Sequence, residues 1–259
     1  MMTCGIDVGA RTTKAVVLDG KRAAGDAILD TGSDAAATAR RVFEAALAAA
    51  GVEEPDLTCV VATGYGRGTV AWADRTVTEI TCQARGARQM VPEAAGVLDV
   101  GGQDAKAIAL ESDGTVRDFV MNDRCAAGTG RFLEVMAAAF GVDLAEASRL
   151  ALAAPSPVAI ASTCTVFAES EVVSLRAQGR RSEDILAGVY ASAALRLRAM
   201  AERIALKPPV VFTGGVAKQG AAVKAVRKVM GFRVVVPDRP QTTGALGAAL
   251  IAREARAAG

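Results

Sequence analysis

The sequence predicts an α/β fold built from two related halves, and three observations point to it. Short apolar strand runs alternate with amphipathic helical stretches along the chain. A unit made of strand, Asp-Val-Gly, polar turn, Lys and strand occurs twice, as GIDVGARTTK and LDVGGQDAK, with Asp7 and Asp99 lying 92 positions apart. No linker or low-complexity segment separates the halves. The chain has 259 residues, 51% of them hydrophobic, so two domains of ordinary size can be buried.

Composition removes several function classes. A net charge of +2 predicts neither nucleic acid nor an acidic membrane as partner. One Trp, two Tyr and seven Phe are too few for a base-stacking surface. Histidine is absent, which excludes imidazole metal ligands, a Ser-His-Asp triad and an imidazole base. The N-terminus carries no basic-then-apolar signal segment. The longest uncharged run, Leu150–Ala168, contains Pro155 and Pro157 and is not a membrane span. A soluble, cytoplasmic, reducing setting is expected, where the five cysteines stay free or metal-bound.

In chain order, Thr3–Val8 is a strand ending near Asp7, and Ala15–Leu18 is its hairpin partner. The connecting turn, Gly9 to Lys14, is rich in backbone and hydroxyl donors. It can cradle phosphate, with Asp7 holding a magnesium ion through water. By itself it reads as an ordinary hairpin. Ala35–Ala50 is a helix stopped by Gly51; Leu57–Ala62 is a strand with Cys59 in the core, followed by a flexible loop, Thr63–Gly68. Thr78–Met90 is a helix carrying Cys82. The opening pattern then returns in strand Gly96–Val100, with Asp99 ahead of Gly101-Gly102-Gln103-Asp104-Ala105-Lys106, strand Ala107–Leu110 and strand Val116–Met121. Two such turns could grip the phosphates of one nucleotide, a far more specific signal than either turn alone.

In NDRCAAGTGRFLEVMAAAF, Cys125 precedes a small-residue turn and a helix, where free backbone N–H groups favour a thiolate. Alone, it reads as a small buried thiol. Pro157–Ala161 is a short strand; Cys164 then precedes a helix over Phe167–Gln178, so it shares the context of Cys125. Ser182–Ile204 is a long helix. Strand Val210–Phe212 leads into Thr213-Gly214-Gly215-Val216-Ala217, where the glycines let backbone approach a flat ligand. A further helix, strand Val234–Val236 and a C-terminal helix, Ala245–Ala257, complete the chain.

The motifs GIDVGARTTK, LDVGGQDAK, MNDRCAAGTGRFLEVMA, STCTVFAESEVVS and FTGGVA together resemble the ATP-dependent activators of 2-hydroxyacyl-CoA dehydratases. The related ATPase subunits of benzoyl-CoA reductases share them. The resemblance covers nearly the whole chain. It implies the acetate kinase/sugar kinase/Hsp70/actin superfamily, with two ribonuclease H-like α/β domains and a nucleotide cleft between them. Residues 1–95 plus 239–259 are expected to form one domain and 96–238 the other.

Carried onto this sequence, the resemblance makes Ala10, Arg11, Thr12, Thr13 and Lys14 the first phosphate loop and Gly101, Gly102 and Gln103 the second. Asp7 and Asp99 become the Mg2+-side aspartates, with Gln103 orienting water. Gly214, Gly215, Ala217 and Gln241 fall on the adenosine side of ATP or ADP. Cys125 and Cys164 match ligands of a [4Fe–4S] cluster. Two departures stand out: Ala10-Arg11 replaces Ser and a small residue, and Lys218-Gln219 stands where Gln-Asn is frequent. A cubane needs four thiolates. Two per chain imply a cluster shared in a homodimer, as the resemblance also implies. The implied activity is an ATPase passing a single low-potential electron to a 2-hydroxyacyl-CoA dehydratase or benzoyl-CoA reductase component, after reduction by ferredoxin or flavodoxin. Nucleotide-driven domain closure would drive the transfer. A small-molecule kinase of the N-acetylglucosamine type shares the fold but has no use for paired helix-start cysteines.

Overall fold

The computed structural model describes residues 1–122, 125–161 and 164–257. Asp123 and Arg124, and Ser162 and Thr163 of the second cysteine motif, lie outside the described residues. The chain divides into two compact units. The first comprises Met1–Val97, Leu110–Asp118 and the segment from Pro237; the second comprises Leu98–Ala109 and Phe119–Val236.

In the first unit, β1 (Met2–Val8), β2 (Thr12–Asp19) and β3 (Arg22–Asp30) run antiparallel as a meander. After α1 (Ala35–Ala50), β4 (Leu57–Thr63) returns parallel to β1, and β5 (Arg75–Thr76) pairs parallel to β4. Helix α2 (Glu79–Met90) follows. Strand alternation sorts the faces. Cys4, Ile6, Val8, Ala15 and Val17 pack against Val42, Phe43 and Leu47 of α1. Thr3, Gly5 and Asp7 therefore point to the opposite face. Asp34 caps α1 by accepting from the Ala37 N–H at 2.9 Å, and Gly51, at φ 69°, ends it in the left-handed conformation.

The second unit repeats the plan. β6 (Gly96–Val100), β7 (Ala105–Leu110) and β8 (Val116–Asn122) precede α3 (Gly130–Ala139), α4 (Leu144–Leu152), α5 (Thr165–Ala177) and α6 (Ser182–Arg203). Then come β9 (Val210–Thr213), α7 (Gly220–Met230) and β10 (Val234–Val235). The sheet orders are β3-β2-β1-β4-β5 and β8-β7-β6-β9-β10, the same connectivity twice. The core of the second unit joins Leu98, Val100 and Phe212 of the sheet to Phe132 and Met136 of α3 and Ile185, Leu186 and Val189 of α6.

Helix α8 (Thr243–Ala257) closes the chain on the first sheet's second face, burying Val16, Leu18 and Val61 under Ala245, Ala248 and Ala249. Its approach needs glycine. A Cβ on Gly5 would stand 2.0 Å from the Ala245 carbonyl oxygen, and one on Gly247 would stand 1.8 Å from that of Cys82.

Three elements differ from expectation. β3 is a full strand although RAAGDAILD lacks clean alternation; Gly25 lets the end of α1 lie against it, a Cβ there falling 2.4 Å from the Ala50 nitrogen. α4 is an additional helix, capped by Asp143 on the Glu146 N–H. Pro157–Ala161 is no strand: Val158 spends its N–H on the Asp184 carbonyl instead of a sheet partner. Among the described residues no helix is long and apolar enough to cross a membrane.

Candidate functional site

Each unit places an aspartate near the end of its first strand and a lysine seven residues on. Lys14 Nζ lies 3.2 Å from Asp7 Oδ2. Lys106, 1% exposed, lies 2.8 Å from Asp104 Oδ2 and 3.5 Å from Asp99 Oδ2. Asp99 Oδ1 accepts from the Thr213 hydroxyl at 2.9 Å, so both its oxygens are engaged. Asp7 differs, because its Oδ1 is buried and accepts no hydrogen bond. That orphaned oxygen is a fit for a hydrated cation, since Mg2+ keeps several waters and needs only one or two carboxylates. Among the described residues no group of three or more acidic or cysteine side chains forms a metal cage.

The two units match further than the sequence repeat revealed. β4 ends Thr63-Gly64 and β9 ends Thr213-Gly214, each strand lying beside the aspartate strand. Gly64 has φ 89° and Gly214 φ 87°. A Cβ on Gly64 would stand 2.4 Å from Asp7 Oδ1, and one on Gly214 would stand 2.2 Å from the Val100 carbonyl oxygen. Only glycine fits either corner.

The first loop is held open from below. Thr31 donates its hydroxyl proton to the Gly9 carbonyl at 2.7 Å, so the buried Thr13 is the donor in its 3.0 Å bond to Thr31. Thr13 thus braces the loop, while Ala10 and Arg11 are exposed and Thr12 is half-buried. The second loop is tied to α3. Gly130 and Arg131 donate their N–H groups to the carbonyls of Gly101 and Gly102 at 2.9 and 2.7 Å. These are first-turn donors that the helix itself leaves unpaired. Gly130 lies close under that loop: a Cβ there would make a tight 3.0 Å contact with the Gly101 oxygen. Gln103 is exposed; Gly214, Gly215 and Gln241 are half-buried; the side chain of Ala217 belongs to the core.

The cysteines separate into two classes. Cys4, Cys59 and Cys82 are buried, whereas Cys125 is exposed and Cys164 half-buried. Burial pushes the Cys82 thiol up to about 12 and that of Cys4 further still. Cys164 is the N-cap of α5, as expected. Cys125 is not at a helix terminus: α3 begins at Gly130 with Thr129 as N-cap, because Gly128 at φ 85° and the turn closed by Thr129 N–H to the Ala126 carbonyl intervene. Asn122 anchors that turn, its Nδ2 donating to the carbonyls of Cys125 at 2.9 Å and Ala127 at 3.1 Å. Beside Cys164, α5 exposes Val166 and Phe167, the latter at 68%.

The sequence located Lys106, Thr63 and Thr213 in their turns without giving them a role, and it gave Gln83 none at all. Gln83 is the most telling: it is 4% exposed, and its Oε1 has no partner. An isolated Gln inside an amphipathic helix gives no signal of burial.

Comparison with known proteins fits this geometry. The BadF/BadG/BcrA/BcrD ATPase family matches residues 4–252. The activator of lactoyl-CoA dehydratase from Anaerotignum propionicum is 46% identical over 256 residues, 98% of each chain. The crystal structure of (R)-2-hydroxyglutaryl-CoA dehydratase component A from Acidaminococcus fermentans superposes with a TM-score of 0.96 at 39% identity, covering 99% of both chains. The 2-hydroxyisocaproyl-CoA dehydratase activator from Clostridium difficile, solved with bound ADPNP, gives 0.93 at 41% identity, covering 100% of this chain and 97% of that one. A chain so matched along its length, with a doubled Asp–Lys turn in ribonuclease H-like units, belongs to the BadF/BadG/BcrA/BcrD ATPase family.

Proposed function

We propose that this ATPase is the reductive activator of a 2-hydroxyacyl-CoA dehydratase, coupling ATP to delivery of one electron. The observation that carries the reading is the partition of the cysteines. Two of five thiols are accessible, both lie in the second unit, and both fall in the motifs on which the resemblance rests. Cys125 and Cys164 would each give one thiolate, and a second copy of the chain the other two. A [4Fe–4S] cluster, when bound, supplies a single low-potential electron, replenished by ferredoxin or flavodoxin. Val166 and Phe167 flank Cys164 and are apolar surface that the second copy would cover.

For ATP, the Ala10–Lys14 and Gly101–Gln103 loops would take the phosphates, with Lys14 as cation. Asp7 and Asp99 would hold Mg2+ through water, Asp7 by its spare oxygen. Gly214, Gly215, Ala217 and Gln241 would line the adenosine.

The hydrogen bonds between the Gly101-Gly102 loop and the start of α3 support coupling. A nucleotide that shifts the loop pulls on Gly130 and Arg131. The turn just before them, anchored by Asn122, carries Cys125. Nucleotide state is thereby felt at one thiolate ligand over a few residues of chain.

Anaerobic purification tests the proposal. The expected product is a brown dimer with about four iron atoms per two chains. Cys125→Ser or Cys164→Ser should lose the iron, while Cys4→Ser, Cys59→Ser and Cys82→Ser should keep it. A colourless, iron-free protein after reconstitution, or an iron-loaded one that never reduces a dehydratase in the presence of ATP, would sink the reading.

A further inference from the structure

Helix α5 is lightly held for an element that starts from Cys164. Of its 13 residues it buries only Ala168 and Val172, which join the core containing Phe132 and Met136 of α3. Leu175 is half-buried against the same core, while Val166, Phe167 and Val173 are exposed. Cys164, Ala168, Val172 and Arg176 recur at four-residue steps, one inclined row along the helix. The two buried side chains therefore act as a pivot. Cys164 lies about 6 Å along the axis before it and Arg176 about 6 Å after it. A helix held mainly at its pivot can rock, and play at the Arg176 end returns in similar measure at Cys164.

Arg176 takes up that play at the far end of α3. There the carbonyls of Ala137 and Ala138 accept from the N–H groups of Phe140, Gly141 and Val142. The Ala139 carbonyl accepts instead from Arg176 Nη1. The same guanidinium lies over the Phe140 ring, 4.8 Å from its centroid, and a cation there also suits the negative end of the helix. Phe140 in turn packs against the core. One side chain thus joins the end of α5 to both the backbone and the last side chain of α3.

We propose that Arg176 is a positioning residue for the accessible cysteine pair, locking α5 to α3 so that Cys164 keeps its place relative to the turn carrying Cys125. The inference deepens the activator reading above and rests on it. The first turn of α3 is hydrogen-bonded to the Gly101-Gly102 loop and its last turn to Arg176. A shift of that loop is carried through α3 into α5, and both thiols follow it rather than Cys125 alone.

Pulsed EPR between nitroxides on Cys125 and Cys164 reads the pair's geometry in iron-free chain diluted with unlabelled copies. Arg176→Ala keeps a good helix former and removes both contacts. The distribution of label distances should widen on the order of two-fold. Arg176→Lys restores a cation and a donor, and should bring the width back towards that of the wild type. Phe140→Leu removes the ring but not the carbonyl, and should widen it by less than Arg176→Ala does. In the iron-loaded dimer, Arg176→Ala should hydrolyse ATP within about two-fold of the wild type yet deliver about five-fold fewer electrons to the dehydratase per ATP. Label distances unchanged by Arg176→Ala would overturn the inference. So would a melting temperature and hydrolysis that fall together while the label distances hold, the mark of a merely structural role. A wild type that never takes up iron would overturn the activator reading, and the label distances would still decide whether Arg176 sets the geometry of the pair.

Discussion

Asp7 and Asp99 occupy the same place in two sheets of the same connectivity, yet their surroundings differ. Asp99 is saturated, one oxygen taken by Thr213 and the other facing Lys106, which Asp104 holds at 2.8 Å. Asp7 shares only Oδ2 with Lys14 and keeps Oδ1 without a partner. The lysines differ in parallel, Lys106 being sealed and Lys14 half-buried. The two sheets share one connectivity, and their turns carry different chemistry. The first turn is left chemically open, as the phosphate- and Mg2+-binding role proposed for it requires. The second holds a buried lysine between two carboxylates, and its Gly101-Gly102 loop is hydrogen-bonded to the start of α3.

If that division holds, equivalent mutations will fail in different ways. Asp7→Asn removes charge beside an oxygen that has no hydrogen-bond partner, where the proposed Mg2+ would sit. ATP hydrolysis should fall on the order of 100- to 1000-fold. Unfolding in urea should barely move, because Lys14 can reach solvent. Asp99→Asn should also lower hydrolysis, as the second proposed Mg2+-side aspartate, but should in addition cost stability. It strips the farther of two carboxylates from a lysine that cannot reach water; Asp104 stays at 2.8 Å, so the loss should fall below the about 3 kcal/mol of a fully broken buried pair. The urea midpoint is the measurement. Equal losses of stability in the two variants would erase the distinction between the turns.

The thiols give a second contrast, smaller in effect. In iron-free protein, iodoacetamide should modify two thiols per chain at pH 8, mapped by mass spectrometry to Cys125 and Cys164. Raising the pH to 10 should add neither Cys4 nor Cys82. A raised pKa keeps a thiol protonated until the pH approaches it, and Cys82 is pushed up to about 12 with Cys4 beyond. Rapid labelling of Cys82 at pH 8 would mean that α2 and α8 part in solution.

Much of this was legible in the residues, for local reasons. The Asp–Gly–Lys turns could be read because their parts follow one another within eight residues at both places. Cys164 as a helix cap was legible too, since the following residues keep a helical pattern. The Thr63-Gly64 and Thr213-Gly214 match was not, because the helices inserted between β8 and β9 break the constant offset. β3 was missed since Gly25 serves α1 rather than strand patterning. Gln83 was missed for a deeper reason: only the packing of α2 on α8 buries its amide oxygen away from any partner.

The smallest expected effect probes whether the second turn transmits anything. Asn122→Ala removes two bonds to the carbonyls of Cys125 and Ala127, each worth about 1 kcal/mol. Both of these bonds stay within the turn that carries Cys125. ATP hydrolysis and iron content should therefore stay near wild type. What should drop is coupling, read as electrons delivered to the dehydratase per ATP hydrolysed, by about five-fold for a free-energy change of about 1 kcal/mol distributed over the turn. An unchanged ratio would mean that the turn holding Cys125 moves with α3 whether or not Asn122 ties it. The bonds between the second turn and α3 would then serve the fold alone, and the contrast with the first would be one between a binding loop and a structural one.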